Sequence, residues 1–147
     1  MNITDHMELV KQQLEKLPCR PTIKFFSGQL QVEDLKDMKM DGVRPYILLS
    51  CVGGKFPERK DRIRLEADVL FGAWVIGKVD KDSIGMSSIA ANTACEIARS
   101  IENFSGDINK NTKIPALDSI NESFNGQKDK ANYSAWSVIW AQRIVLD

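Results

Sequence analysis

The side chains that could support catalysis are few in this sequence. His6 is the only histidine, so one chain holds no histidine pair and no Glu-x-x-His arrangement for a metal ion. We expect His6 on the polar, solvent-exposed side of an N-terminal helix, without a chemical role. Cys51 and Cys95 have no histidine near them in sequence, and both are predicted to be small core residues. The sequence therefore predicts no catalytic residue, no metal ion and no cofactor.

One glycine-rich turn resembles a phosphate-binding loop only superficially. Val52-Gly53-Gly54-Lys55 lacks the Gly-x-x-x-x-Gly-Lys-Ser/Thr spacing, and Phe56-Pro57 follow where a helix should begin. The chain also has no Gly-x-Ser-x-Gly elbow. We interpret the turn as the end of a strand and expect the protein not to be an enzyme.

The segment from Lys55 to Asp68 is the most charged part of the chain, with charges on nine of its fourteen residues. Mixed charge runs usually form a solvated face. The alternative is an interaction edge, because acids and bases at neighbouring positions suit a contact between copies of one chain. The candidate subunit or tube interface comprises Lys55, Glu58, Arg59, Lys60, Asp61, Arg62 and Arg64.

Bulk composition favours one soluble domain spanning residues 1–147. Lysine plus arginine equals aspartate plus glutamate, twenty of each, so no overall field favours nucleic acid or an anionic membrane. The longest apolar run, Val69 to Val79, is too short to span a bilayer. The N-terminus lacks the pattern of a secretory signal, and three widely spaced cysteines indicate reduced thiols, so we expect a cytosolic location.

Hydrophobic periodicity predicts the first half of the fold. An apolar stripe, capped by Thr4 and stopped by Pro18, indicates a helix; the stripe is Ile3, Met7, Val10, Leu14 and Leu17. Short elements follow: a strand at Thr22–Phe26 and a helix or turn at Leu30–Met38.

Two longer strands are predicted next. Arg44–Val52 is apolar on both faces and ends at Gly53-Gly54, which indicates a central strand. Arg62–Val75 alternates, but the face that begins with charges becomes apolar at Leu70, Trp74 and Ile76. Either a helix of the same chain or a neighbouring subunit must cover that face.

The second half predicts one long helix and two strands. Asp82 or Ser83 should cap a long helix that reaches about Phe104; its stripe is Ala90, Ala94, Ile97, Ala98, Ile101 and Phe104. A loop at Ser105–Thr112, a strand at Ile114–Ile120 and a flexible hairpin connection at Asn121–Lys130 follow. Ser134–Leu146 alternates as the closing strand. These elements predict an α/β (α+β) fold, a mixed and mostly antiparallel sheet with an N-terminal helix and one long helix packed on it.

The closing strand also carries a family resemblance. Its sequence, Ala-Trp-Ser-Val-Ile-Trp-Ala-Gln-Arg-Ile-Val-Leu, resembles the last strand of small tail proteins encoded by Mu-like phages and prophages. The order of elements before it is similar too. That family contains tail terminators, and its fold resembles that of the lambda minor tail protein U.

The resemblance implies a structural role. A tail terminator forms a ring, here expected to be a hexamer, that caps the tail tube, stops its elongation and offers the surface for head attachment. Its partners would be further copies of itself, the tail tube protein and a head–tail connector protein, with no specific nucleic acid and no membrane. It would act in the host bacterial cytoplasm during assembly and remain in the virion tail.

Other functions fit the same sequence. A head–tail joining or tail-completion protein would have much the same composition. A small cytosolic enzyme with a site between subunits would need a pocket of converging polar groups. A ligand-binding or regulatory domain would be a monomer or dimer with an apolar pocket.

If the protein forms a terminator ring, we expect the charged connector Lys55–Arg64 and the outer face of the long helix to form the contacts between subunits.

Overall fold

A computed structural model describes residues 2–27, 30, 44–58, 64–79, 87–104, 114–128 and 131–146. These residues form two helices and five strands. In chain order they are α1 (Ile3–Glu15), β1 (Thr22–Phe25), β2 (Tyr46–Lys55), β3 (Leu65–Lys78), α2 (Ser88–Glu102), β4 (Ala116–Lys128) and β5 (Ala131–Leu146).

The strands form a single mixed sheet in the order β1-β2-β3-β5-β4. β1 is parallel to β2, and the other neighbours are antiparallel. Both helices pack on one face, with α1 over β1 and β2, and α2 over β3, β5 and β4. This architecture confirms the predicted α+β fold with two helices on a mostly antiparallel sheet.

The closing strand supplies much of the main core, as its alternation predicts. Val138, Trp140 and Ile144 of β5 face the helices and are buried. Phe71 of β3 pairs with Trp140 across the strands, and their rings stack with centroids 5.8 Å apart. Because β5 has a neighbour on each side, its large side chains lie in the middle of the sheet.

The opposite face of the sheet carries a second, smaller core. Leu48, Trp74, Ile76 and Ala135 are buried there together with Leu30. The cover that the apolar face requires therefore comes at least in part from residues of the same chain. Gly72 also contributes, because a Cβ at this position would lie 2.5 Å from the Trp74 ring. The missing side chain lets the indole lie flat along β3.

α1 is confirmed as a helix, but its N-cap lies two residues earlier than expected. The Asn2 side chain accepts from the Asp5 backbone N–H at 2.8 Å, and Asp5 reaches back to the Asn2 N–H. This reciprocal capping box satisfies two amide donors that Thr4 would leave open. The cap is therefore Asn2, and Thr4 lies inside the first turn.

α2 begins later than predicted, at Ser88 instead of after Asp82 or Ser83. The Ser87 hydroxyl caps it by accepting from the Ala90 N–H, while the Ser87 N–H donates to Ser134 Oγ at 2.9 Å. Ser87 Oγ also packs directly over Gly77 of β3, where a Cβ would collide with it. These contacts with the sheet fix where the helix begins, and residues 80–86 lie outside the described part.

Two strands, β2 and β4, extend further toward the C-terminus than predicted. β2 continues through Gly53 and Gly54 to Lys55, with a register shift between Cys51 and Gly53 and a positive φ of 149° at Gly53. β4 runs to Lys128, so most of the expected flexible connection is strand paired with β5. Glycine and polar residues are compatible with strands where one face is open to water. The predicted elements at 31–38 and 105–112 lie outside the described residues.

Candidate functional site

His6 is fully buried, so the prediction that it is exposed was wrong. Its ring centroid lies 5.0 Å from that of Phe71 and 6.0 Å from that of Phe104. His6 is three positions after Ile3 and four before Val10, which places it on the core-facing side of α1. That spacing was available in the sequence, but the polar residue type outweighed it.

Burial determines the protonation of His6. It lowers the pKa of the imidazole to about 4, and the neighbouring Gln142 side chain opposes this shift. Neither ring nitrogen makes a well-formed hydrogen bond to a described residue. The nearby packing gap has no room for a water molecule; it is lined by Met7, Val10, Leu49, Ser50, Phe71 and Trp140. A ring enclosed in this way is neutral at pH 7 and acts as a core residue.

The cysteines are free thiols in different surroundings. Cys51 is partly buried and packs against the main core, close to its predicted place. Cys95 is exposed on α2, so its assignment to the core was wrong, because it lies on the side of the helix turned away from the sheet. Burial and the nearby Glu96 raise the pKa of Cys19. A raised pKa disfavours the thiolate that a nucleophile needs.

Charged side chains gather at one end of the sheet. Lys55 of β2, Asp68 of β3 and Arg143 of β5 occupy aligned positions on three neighbouring strands. Arg143 donates from Nε and Nη2 to the two oxygens of Asp68, at 2.8 and 3.0 Å. Glu66 lies 3.9 Å from the Arg143 Nε. We call Lys55, Glu66, Asp68 and Arg143 the charged pole.

The electrostatics of the charged pole follow from this pairing. The hydrogen bonds from Arg143 lower the pKa of Asp68, with smaller help from the positive charges of Arg143 and Lys55. The same bonds raise the pKa of Arg143. Asp68 and Arg143 therefore both carry their charge at neutral pH. They present both signs of charge at a partly exposed surface, which suits binding.

Of the predicted interface residues, Lys55 belongs to this pole, and Glu58 and Arg64 lie just beyond the ends of β2 and β3 in sequence. Lys55, Glu58 and Arg64 are exposed, as are the apolar side chains of Phe56 and Leu65. Arg59, Lys60, Asp61 and Arg62 lie outside the described residues. Sequence reasoning missed Arg143, which is 75 positions from Asp68. Only the strand pairing of β3 with β5 brings the two together.

In the described ranges, no group of three or more His, Cys, Asp or Glu side chains could hold a metal ion. No helix among the described residues is long and apolar enough to cross a membrane. Comparison with protein-family models and with curated proteins finds no match to this sequence.

Proposed function

We propose that this protein is a phage or prophage tail terminator, which forms a ring on the tail tube and stops its elongation. The observation that carries the proposal is the closing segment Ala135–Leu146, whose sequence resembles the last strand of the Mu-like tail proteins. The α+β fold agrees with the fold that this resemblance implies. Its role would be stoichiometric binding, without a chemical step.

The charged pole and the adjoining connector support a binding role. The described residues at the end of β2 and the start of β3 combine the exposed charges of Lys55, Glu58 and Arg64 with the exposed side chains of Phe56 and Leu65. Apolar side chains beside charges of both signs are typical of a surface that another protein covers. We assign this end of the molecule to the tube or to a neighbouring subunit, and the head-facing surface to the opposite end.

Purified components test this proposal. The protein is added to tubes assembled from the tail tube protein of the parent phage or prophage, and the tube ends are imaged by electron microscopy. A terminator should form a six-fold ring at one end and prevent growth when more tube protein is added. Tubes that continue to grow at the normal rate, with no ring at either end, would contradict the proposal.

Charge reversal at Glu58 and Arg64 tests whether these residues contribute to tube capping. Glu58→Lys and Arg64→Glu reverse two exposed charges there, whereas Lys78→Glu reverses an exposed charge at the other end of β3 as a control. The double connector variant should cap tubes less well than the wild type, and the control should cap normally. A joining protein would leave tube growth unaffected but would be needed for heads to attach.

A further inference from the structure

The sheet ends in two different strands. In the part of the chain that the structure describes, no strand pairs with the outer edge of β1 or of β4. Such an edge presents unpaired backbone N–H and C=O groups to any extended chain. β4 is long, with thirteen residues, and the first eight have described side chains.

The outer strand β4 exposes apolar side chains, although its pairing with β5 shifts register between Leu117 and Ser119 and between Glu122 and Phe124. Leu117 and Ile120 are about two-fifths exposed, at 42% and 40%. Ala116 to Ser123 contains no lysine, arginine or proline, the residues that commonly guard an edge. Its two charges, Asp118 and Glu122, are both acidic and both exposed. The β4 edge is therefore apolar and negative.

The outer strand β1 has the complementary character. Lys24 is exposed, and Phe25 is 42% exposed on the neighbouring position. The Lys11 ammonium lies 5.4 Å from the centre of the Phe25 ring, and Glu15 partly balances its charge at 3.9 Å. Arg20 is exposed just before the strand. The β1 edge is therefore apolar and positive.

We propose that the β1 edge of one copy pairs with the β4 edge of the next, so that the sheet continues across the subunit boundary. This inference rests on the proposed ring and names its lateral contact. A contact between two different edges repeats head to tail and gives a ring when the rotation closes. The strand ends, including the charged pole, then remain free for the tube.

Charge favours this arrangement over the symmetric one. Two β4 edges packed together would bring Asp118 and Glu122 of one copy close to the same acids of the other. Like charges on facing strands are unfavourable. Pairing with β1 instead brings the positive charges of Lys24 and Arg20 to the same boundary as those acids, and it covers Leu117 and Ile120 with the side of the sheet that carries Phe25. Backbone hydrogen bonds would supply affinity, and the charges would select the partner edge.

A charge-swap experiment tests the contact. One variant, Arg20→Glu with Lys24→Glu, makes both edges acidic, and another, Asp118→Lys with Glu122→Lys, makes both edges basic. Lys78→Glu, at the end of the central strand β3, is the matched control. Mass is measured by analytical ultracentrifugation over a range of concentrations, and circular dichroism verifies that each variant is folded.

The contact predicts a specific pattern of masses. Wild type and control should self-associate, and each edge variant alone should fall to the 16.5 kDa monomer. An equimolar mixture of the two edge variants should assemble again, because every acidic edge then finds a basic one. A monomeric wild type, edge variants that assemble like the wild type, or a mixture that stays monomeric would each overturn the proposal.

Tail length separates this inference from the proposed function. If the edge variants assemble normally while loss of the gene still gives overlong tails, the strand-edge contact is wrong and the terminator function stands. If loss of the gene leaves tail length unchanged, the terminator function is wrong, and the charge swap alone decides whether the edges pair.

Discussion

Asp68 and Arg143 face each other across β3 and β5 and form a two-pronged ion pair, with N–O distances of 2.8 and 3.0 Å. Both side chains are partly exposed, so water and salt screen their attraction. Asp68→Asn should therefore lower the free energy of unfolding by only about 1 kcal/mol or less. Urea denaturation measures the loss, which should shrink at high salt.

Glu66→Gln provides the matched control for that prediction, because Glu66 lies farther from Arg143, at 3.9 Å. Glu66→Gln should lower the free energy of unfolding by less than Asp68→Asn does. A loss of several kcal/mol for Asp68→Asn, unchanged by salt, would mean that the pair is a buried structural element and not part of a surface for binding.

His6 should make stability depend on pH. Its pKa is about 4 in the folded protein against 6.5 for an unperturbed histidine, so the unfolded chain binds a proton first as the pH falls. The contribution is complete above pH 6.5 and is lost as the pH falls toward 4. We expect a decrease of about 3 kcal/mol in the free energy of unfolding across that range.

His6→Leu isolates this effect, since leucine cannot titrate and both proteins share the remaining acid-sensitive groups. Urea denaturation of both proteins between pH 7 and pH 4 gives the difference. The wild type should lose stability relative to the variant as the pH falls. Parallel curves would show that His6 is protonated equally well in the folded state and is not enclosed.

Close packing of the Trp74 ring should require glycine at position 72. A methyl group at Gly72 would lie 2.5 Å from the Trp74 ring and 3.0 Å from Ile139, so the indole must move. Gly72→Ala should cost about 2 kcal/mol, as overpacking usually does. Trp74→Phe shortens the side chain, so Gly72→Ala should cost less in that background. Equal costs in both backgrounds would refute the proposed contact.

Ser134 should support the start of α2. Ser134→Ala leaves the buried N–H of Ser87 without its acceptor at 2.9 Å, which should cost about 2 kcal/mol in thermal or urea unfolding. Ser137→Ala is the control, because the Ser137 hydroxyl makes only a long 3.4 Å bond to the Asn121 carbonyl. Equal losses in the free energy of unfolding for the two substitutions would show that the Ser87–Ser134 hydrogen bond does not stabilise the start of α2.

Elements with a strong apolar period could be predicted from the sequence. The stripes of α1 and α2 and the alternation of β3 and β5 identify the helices, the long strands and most core residues. The period works because a single buried face repeats along each element. It fails where burial does not determine the conformation, as in the polar strand β4, which is ordered by its pairing with β5.

Single residues and distant pairs were harder to predict. The spacing of His6 puts it on the core-facing side of α1, but its polarity suggested exposure; in the structure it packs against the rings of Phe71 and Phe104. The start of α2 depends on Ser134 and Gly77, which are remote in sequence. Arg143 joins the charged pole through strand register, information that no local pattern contains.

Electron microscopy of particles from the parent phage or induced prophage, with and without this gene, tests the central claim most directly. The account predicts that loss of the gene gives headless tails of uncontrolled, excessive length, and that supplying the wild-type protein restores normal tails. Tails of normal length without the gene would contradict the terminator function, whether or not those tails carry heads.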